Sequence, residues 1–324
     1  MKKVFLILII LLTVSYKGYA QFDAQFTQYD ALMGYYNPGA AGSSKLLRLN
    51  AAVKMQWLGI KNAPTSILIN GDMPLKFFGR THGVGLTLFS EGLGLFDNIT
   101  LGVQYAYQLK LFNGLLSIGV QPGFFNQSFD GTKVKLPDTL DSSDSGSGSG
   151  SGRSDDEAIP SSAVQSMSFD LNAGIYYNSP TIYGGISAMH LIEPTLKLVE
   201  NYGTFVPRSY YLTLGYNIIF KESLFVLQPS AFLKTTFQFT VLDVQLKLIY
   251  NKMFWGGLNW RMNESVSLLG GVKLGKIKAG YAYDLPTSML LKGSSGSHEL
   301  FVSYELDLSL SKGNKNKYKS VRIL

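Results

Sequence analysis

From Ile99 to Leu111 the chain alternates without a fault. Ile99, Leu101, Val103, Tyr105, Tyr107, Leu109 and Leu111 are apolar or aromatic, and Thr100, Gly102, Gln104, Ala106, Gln108 and Lys110 between them are small or polar. Successive side chains of a strand point to opposite faces, so this segment has one greasy face and one small or polar face. Asn113-Gly114 follows, the dipeptide that best favours a tight type I′ turn. A second alternating run then begins, with Leu116, Ile118 and Val120 set against Ser117, Gly119 and Gln121. Strands of soluble sandwiches have about five or six residues, whereas crossing a bilayer takes about ten tilted ones. A long hairpin of this kind predicts the wall of a transmembrane β-barrel.

The pattern recurs along the chain. It predicts fourteen strands, at 47–57, 65–72, 83–91, 99–111, 115–128, 167–177, 182–189, 209–218, 224–235, 239–250, 254–261, 265–273, 276–284 and 299–308. Connections after even-numbered strands are mostly short, as at Asn113-Gly114, Ser179-Pro180, Asn251-Lys252 and Leu274-Gly275, while the longest, 129–166, 190–208 and 285–297, follow odd strands. Outer-membrane barrels have short periplasmic turns and long external loops, and an even strand count returns both termini to the periplasm. Residues 73–82, rich in Phe and Lys, make a longer connection than this rule expects. The expected fold is an all-β, up-and-down antiparallel barrel of the outer-membrane type with about 14 strands. It occupies 46–309, with 129–165 as a long, flexible extracellular loop.

Three segments lie outside that ladder. Residues 1–20 read as a secretory signal peptide: Lys2-Lys3, an apolar run over 4–14, and the small-residue site Gly18-Tyr19-Ala20. Residues 21–45 combine turn chemistry, Asn37-Pro38-Gly39-Ala40-Ala41-Gly42, with Phe26, Tyr29, Tyr35 and Tyr36. Those aromatics argue for a periplasmic or plug-like segment packed inside or beneath the barrel. Residues 310–324 form a basic periplasmic tail with Lys312, Lys315, Lys317, Lys319 and Arg322 and no acid. Its readings are a solvated tail or attraction to an acidic partner.

Composition narrows the function. The 324 residues include no cysteine, which excludes disulfides, thiol catalysis and thiolate metal sites. The net charge of +7 falls once Lys2, Lys3 and Lys17 are removed, leaving 26 basic against 22 acidic residues, or +4. That is too mild and dispersed to argue for nucleic acid. Residues 141–157 are low-complexity Gly/Ser with acids at the ends; Asp144, Asp155, Asp156 and Glu157 could ligate calcium, but their spacing matches no EF-hand loop. His82, His190 and His298 are scattered, and His298-Glu299 does not continue into the HExxH zinc pattern. No phosphate-binding glycine loop and no GxSxG elbow occurs. No catalytic residue, metal or cofactor is expected, and a barrel-embedded hydrolase is the weakest of the readings.

The face opposite the greasy one carries Arg48, Lys54, Gln104, Gln108, Lys110, Asp243, Gln245, Lys247, Lys276, Lys278, Glu305 and Asp307. These are the expected lumen-lining residues. Charges of both signs in a lumen either pair into a network that fills it or line a water channel.

In several short motifs the chain resembles the PorP/SprF family of type IX secretion system membrane proteins of Bacteroidetes, over nearly all of its mature length. Phe26-Thr27-Gln28-Tyr29 and Asn37-Pro38-Gly39-Ala40-Ala41-Gly42 are similar to the family head, Gln56-Trp57 with Ala63-Pro64 to its Q-W and A-P, and Tyr105-Ala106-Tyr107 to its Y-A-Y strand. Ser187-Ala188-Met189-His190-Leu191 and Ser297-His298-Glu299-Leu300 resemble its S-x-x-H-L and S-H-E-L segments. The Gly/Ser loop and the basic tail depart from the pattern. The resemblance implies a non-enzymatic outer-membrane barrel that binds outer-membrane lipids and periplasmic secretion components, namely a lipoprotein ring and a peptidoglycan-binding protein. It also implies service to a secreted surface protein with a C-terminal secretion domain, of the gliding-adhesin type. Phe26, Gln28, Tyr29, Asn37 and Pro38 of the head, with Lys315, Lys317, Lys319 and Arg322 of the tail, are the expected partner-binding residues. The alternative is a porin or nutrient channel of the same shape.

Overall fold

The computed structural model describes residues 24–44, 46–134, 160, 162–199, 202–220 and 224–307. Fourteen strands form one closed antiparallel barrel. They are β1 (Leu46–Met55), β2 (Thr65–Phe77), β3 (Arg80–Leu93), β4 (Phe96–Leu111), β5 (Gly114–Asp130), β6 (Ala163–Asn178) and β7 (Ile182–Met189), then β8 (Ser209–Tyr216), β9 (Phe225–Thr235), β10 (Thr240–Tyr250), β11 (Phe254–Arg261), β12 (Ser265–Leu274), β13 (Ile277–Pro286) and β14 (Ser297–Asp307). Each strand pairs with its neighbours in sequence. The ring closes where β1 meets β14 in a ladder from Leu46↔Asp307 to Met55↔His298. Closure gives every strand a neighbour on both sides, which is what the hydrocarbon interior of a bilayer demands of a sheet.

The two faces follow the alternation. Leu101, Val103 and Tyr105 of β4 point outward, while Gln104 and Gln108 are buried inside. Isolated from lipid, Val103 is 57% exposed. An arginine at a lipid-facing midplane site costs about 2–4 kcal/mol, so Val103→Arg should lower the yield of folded barrel in an assembly assay. Gln104→Arg, on the lumen side of the same strand, should be better tolerated; equal effects would show the faces wrongly assigned.

The connections at one end are short: Phe78-Gly79, Phe112-Asn113, 179–181, 251–253 and Gly275-Lys276, with 217–224 longer although Ile218-Ile219 still pairs with Val226-Leu227. Those at the opposite end include 56–64, 131–162, 190–208 and 287–296. We call these the short-turn end and the long-loop end.

Several expectations need correction. Residues 73–82 are not a long connection. β2 runs to Phe77 and β3 starts at Arg80, so only Phe78-Gly79 turns the chain. Pro74 and the run Leu75-Lys76-Phe77-Phe78 blurred the period of two there, yet Pro74 still sits opposite Gly83 in the ladder. The turn expected at Asn113-Gly114 is displaced by one residue: Leu111 pairs with Gly114, and Phe112, at φ 49°, takes the corner. β1 stops at Met55, short of Trp57, which bends away at φ 48°. The loop 190–208 holds an unexpected hairpin of Thr195–Val199 and Tyr202–Phe205. Leu196 and Val206 bury against Phe125, an inward-facing residue of β5, folding this loop onto the inner face of the wall at the long-loop end. The expected signal peptide, the Gly/Ser run 141–157 with Asp144, Asp155, Asp156 and Glu157, and the expected basic tail with Lys315, Lys317, Lys319 and Arg322 lie outside the described residues.

Candidate functional site

The lumen is occupied. Residues 24–44 run the length of the interior, from Gln25–Gln28 near the long-loop end to Gly42 beside the start of β1, and nearly all of them are buried. The segment has little regular structure: a single helical turn α1 (Met33–Tyr36), then a 3-10 turn Pro38–Ala40. Pro38 supplies the fixed φ for the first position of that turn, and Asn37 caps it, its side-chain oxygen accepting from the Gly39 N–H at 2.8 Å. A segment with so few internal hydrogen bonds must satisfy its backbone elsewhere, and here the barrel's inner face does so.

Near the long-loop end, Glu299 of β14 accepts the backbone N–H groups of Thr27 (2.6 Å) and Gln28 (2.9 Å). Asp284 of β13 accepts from the Thr27 hydroxyl at 2.7 Å. Lys54 of β1 donates to the Gln25 carbonyl (2.7 Å) and to Asp284 (2.8 Å), with Glu299 at 3.8 Å. Arg261 of β11 is held by Asp243 of β10 at 3.0 Å and by Glu264 at 3.2 Å. Midway, Tyr29 shares a 2.7 Å hydrogen bond with Ser230, Gln245 donates to the Thr27 carbonyl at 3.0 Å, and Asp30 pairs with Lys247. Gln104 donates to the Gly34 carbonyl at 2.5 Å and Ser187 to that of Tyr36 at 2.6 Å. Near the short-turn end, Asp72 accepts from Gly42 N–H at 2.8 Å and pairs with Arg48 at 3.0 Å, and Gln108 donates to the Ala41 carbonyl at 3.1 Å.

Packing complements these bonds. Tyr29 stacks on Phe232 with ring centroids 4.9 Å apart, and Tyr36 meets Phe232 edge-on at 4.8 Å. Tyr35 packs on Phe89 at 5.0 Å. The Asn37-Pro38-Gly39-Ala40-Ala41-Gly42 run seats against glycines of the wall. A Cβ on Gly119 would lie 2.4 Å from the Pro38 carbonyl carbon, and one on Gly83 1.9 Å from the Ala41 oxygen. Only a wall without side chains at those points admits the turn so closely. Asn37 completes the seat by donating to the Ile175 and Ile186 carbonyls at 3.0 and 3.2 Å.

This placement corrects the expected partner surface. Phe26, Gln28, Tyr29, Asn37 and Pro38 are buried in the lumen and present nothing to a partner while the segment is seated. Their aromatic and turn residues, expected to meet other proteins, instead fill the protein's own interior. Of the expected lumen residues, Lys54, Gln104, Gln108, Asp243 and Lys247 are buried and engaged as described, with Arg48 half-buried. Lys278 points inward too, its ammonium 5.0 Å from the Trp255 ring centroid, and Glu305 pairs with Lys273. Lys110, Lys276 and Asp307 are exposed. They share the inward parity but sit at the short-turn rim, where Lys276 belongs to the turn itself. Asp72, Arg261, Asp284 and Glu299, central to the interior, were not singled out from the sequence.

The histidines play separate parts. His190 pairs with Asp170 at 2.9 Å beneath the folded loop, His298 shares a 2.6 Å hydrogen bond with Tyr281, and His82 stacks on Phe77. Among the described residues no three His, Cys, Asp or Glu side chains are grouped to hold a metal.

A closed barrel of fourteen strands, greasy outside and filled by its own N-terminal segment, defines an internally plugged outer-membrane β-barrel. The chain belongs to the PorP/SprF family of type IX secretion system membrane proteins, whose model matches residues 18–304. No curated protein is significantly similar to it. Among solved structures it is similar to the Pseudomonas putida toluene transporter TodX, with 10% identity, TM-score 0.47, and coverage of 90% of this chain and 99% of that one. It is also similar to Omp33 of Acinetobacter baumannii, with 6% identity, TM-score 0.46, and coverage of 82% and 100%. The translocator domain of the Neisseria meningitidis autotransporter NalP gives 12%, 0.41, and 86% and 94%. All three are likenesses of barrel form, too distant to speak to function.

Proposed function

We propose that this barrel serves type IX secretion, or the attachment of secreted proteins at the surface, by binding proteins at its two ends. It catalyses no reaction and passes no solute. The observation that carries this reading is the occupied lumen: residues 24–44 fill the space a porin would leave to water. In the orientation we propose, the short-turn end faces the periplasm and meets the lipoprotein ring and the peptidoglycan-binding protein. The basic tail, with Lys315, Lys317, Lys319 and Arg322, follows the last strand at that end. The long loops face outward toward a secreted surface protein with a C-terminal secretion domain.

Two measurements test the reading. Affinity purification of the barrel from cross-linked cells, followed by mass spectrometry, should recover secretion components of the envelope; recovery of none would sink the role. An epitope tag inserted at Gly148, in the loop between β5 and β6, should be labelled on intact cells. Labelling only after permeabilisation would invert the orientation.

A further inference from the structure

Two neighbouring hairpins at the short-turn end carry the same tip. Leu75-Lys76-Phe77-Phe78-Gly79 closes β2–β3, and Leu109-Lys110-Leu111-Phe112-Asn113 closes β4–β5. In each, a phenylalanine stands at the corner with positive φ, 48° for Phe78 and 49° for Phe112. A bulky side chain in that region is an outlier that costs free energy. The turn does not require it: at the same end the 251–253 turn uses Asn251 and Lys252 at φ 51° and 55°, and Gly275 takes 59°. Glycine would close either hairpin without strain.

Phe78 meets the neighbouring Phe77 ring edge-on, with centroids 5.7 Å apart, and this contact covers almost none of it. Phe78 is 95% exposed and Phe112 94%, whereas the outward wall residues of these strands cover one another. Rings lying along the wall as part of a lipid-facing aromatic girdle would lose surface to their neighbours in the same way. The tips instead stand clear, beyond the last ladder pairs Phe77↔Arg80 and Leu111↔Gly114. The β3–β4 ladder, which reaches His82↔Tyr107, holds the two hairpins side by side. Lys76, Arg80 and Lys110 around them are exposed, and no acid occurs in residues 73–90 or 98–129.

We propose that Phe78 and Phe112 are a paired anchor for one protein partner, which receives each ring in an apolar pocket and surrounds them with an acidic rim. Strain kept at two equivalent corners, with both rings left almost wholly exposed, fits rings held for a partner's use. Aromatic anchors in desolvated pockets carry most of the energy of an interface, and rim charges mainly steer the encounter. The proposal rests on the protein-binding role above and deepens it by naming the surface and the chemistry of its partner.

The test places a photo-crosslinking phenylalanine analogue at 78 or at 112 in the full-length protein in cells, with Val103 as a lipid-facing control. Both tips should capture the same polypeptide, one with an acidic surface, and Val103 should not. Lipid adducts alone, different proteins from the two sites, or no product would each overturn the proposal. Phe78→Gly with Phe112→Gly should leave the folded barrel as heat-resistant as the parent and reduce recovery of that polypeptide roughly tenfold or more. Lys76→Gln, Arg80→Gln and Lys110→Gln together should weaken recovery at low salt and much less at high salt. A barrel that still recovers secretion components while neither tip captures anything overturns this surface alone. A barrel that recovers none overturns the role as well.

Discussion

Removing residues 24–44 should turn a non-conducting barrel into an ion-conducting one in planar bilayers. The barrel's hydrogen bonds are made strand to strand around a closed ring, so the wall does not need the segment to close. The side chains the segment leaves behind are polar and charged of both signs: Lys54, Arg261, Asp243, Asp284 and Glu299 at one end, Arg48 and Asp72 at the other. Water would enter to solvate them, because burying ionised groups without partners is far more costly than hydrating them. A water-filled lumen lined with both signs passes small ions, as in wide barrels. The intact protein should show no comparable steps. Phe26→Ala with Tyr29→Ala is the milder version: removing large buried aromatics costs about 3–5 kcal/mol each, here spent on loosening the segment's seat, so intermittent openings should appear. If the deletion variant assembles, as judged by its heat-modified gel mobility, and stays silent, something other than residues 24–44 closes the barrel.

The wall was legible in the sequence because lipid imposes it. Every second residue from Ile99 to Leu111 must tolerate hydrocarbon, and no soluble context relaxes that demand. Alternation failed only where a strand runs past the lipid, as at Leu75-Lys76-Phe77-Phe78, or where a loop folds back on the wall, as Leu196 does against Phe125. The interior was harder to read because its chemistry inverts the usual link between burial and hydrophobicity. Gln25, Thr27 and Gln28 are fully buried, yet nothing in their character separates them from a solvated loop. The aromatics Phe26, Tyr29, Tyr35 and Tyr36 did signal packing, but not against which surface. Asp284 and Glu299 escaped notice since they lie at strand ends, where the period of two offers least support. Carrying the inward parity of Lys278 on to Asp284, and of Glu305 back to Glu299, would have found both. The seat of Asn37-Pro38-Gly39 depends on Gly119 and Gly174, residues from two other strands, and no local pattern relates them.

Lys54→Met should be among the most destabilising single substitutions in the protein. Its ammonium is buried with Asp284 at 2.8 Å, Glu299 at 3.8 Å and the Gln25 carbonyl at 2.7 Å. Around it, Lys54 and Arg261 face Asp243, Glu264, Asp284 and Glu299, so acids already outnumber bases in this cluster. Methionine matches the length of the stem but removes the charge, leaving two buried carboxylates with less compensation. Breaking a buried ion pair from one side costs about 3–5 kcal/mol. Urea unfolding of the detergent-solubilised barrel should therefore shift to clearly lower concentration. Arg48→Met removes a cation whose side chain is 19% exposed and whose acid partner, Asp72, also accepts from Gly42. Water can replace part of that interaction, so the loss should be smaller. The double variant Lys54→Met/Glu299→Gln separates charge from packing. It removes one positive and one negative group, and the glutamine oxygen can still accept one of the two N–H groups of Thr27 and Gln28. It should recover part of the stability lost in Lys54→Met, with a coupling of about 0.5–3 kcal/mol. Losses that simply add would show that Lys54 and Glu299 act independently, and that the cluster does not hold residues 24–44 as a unit.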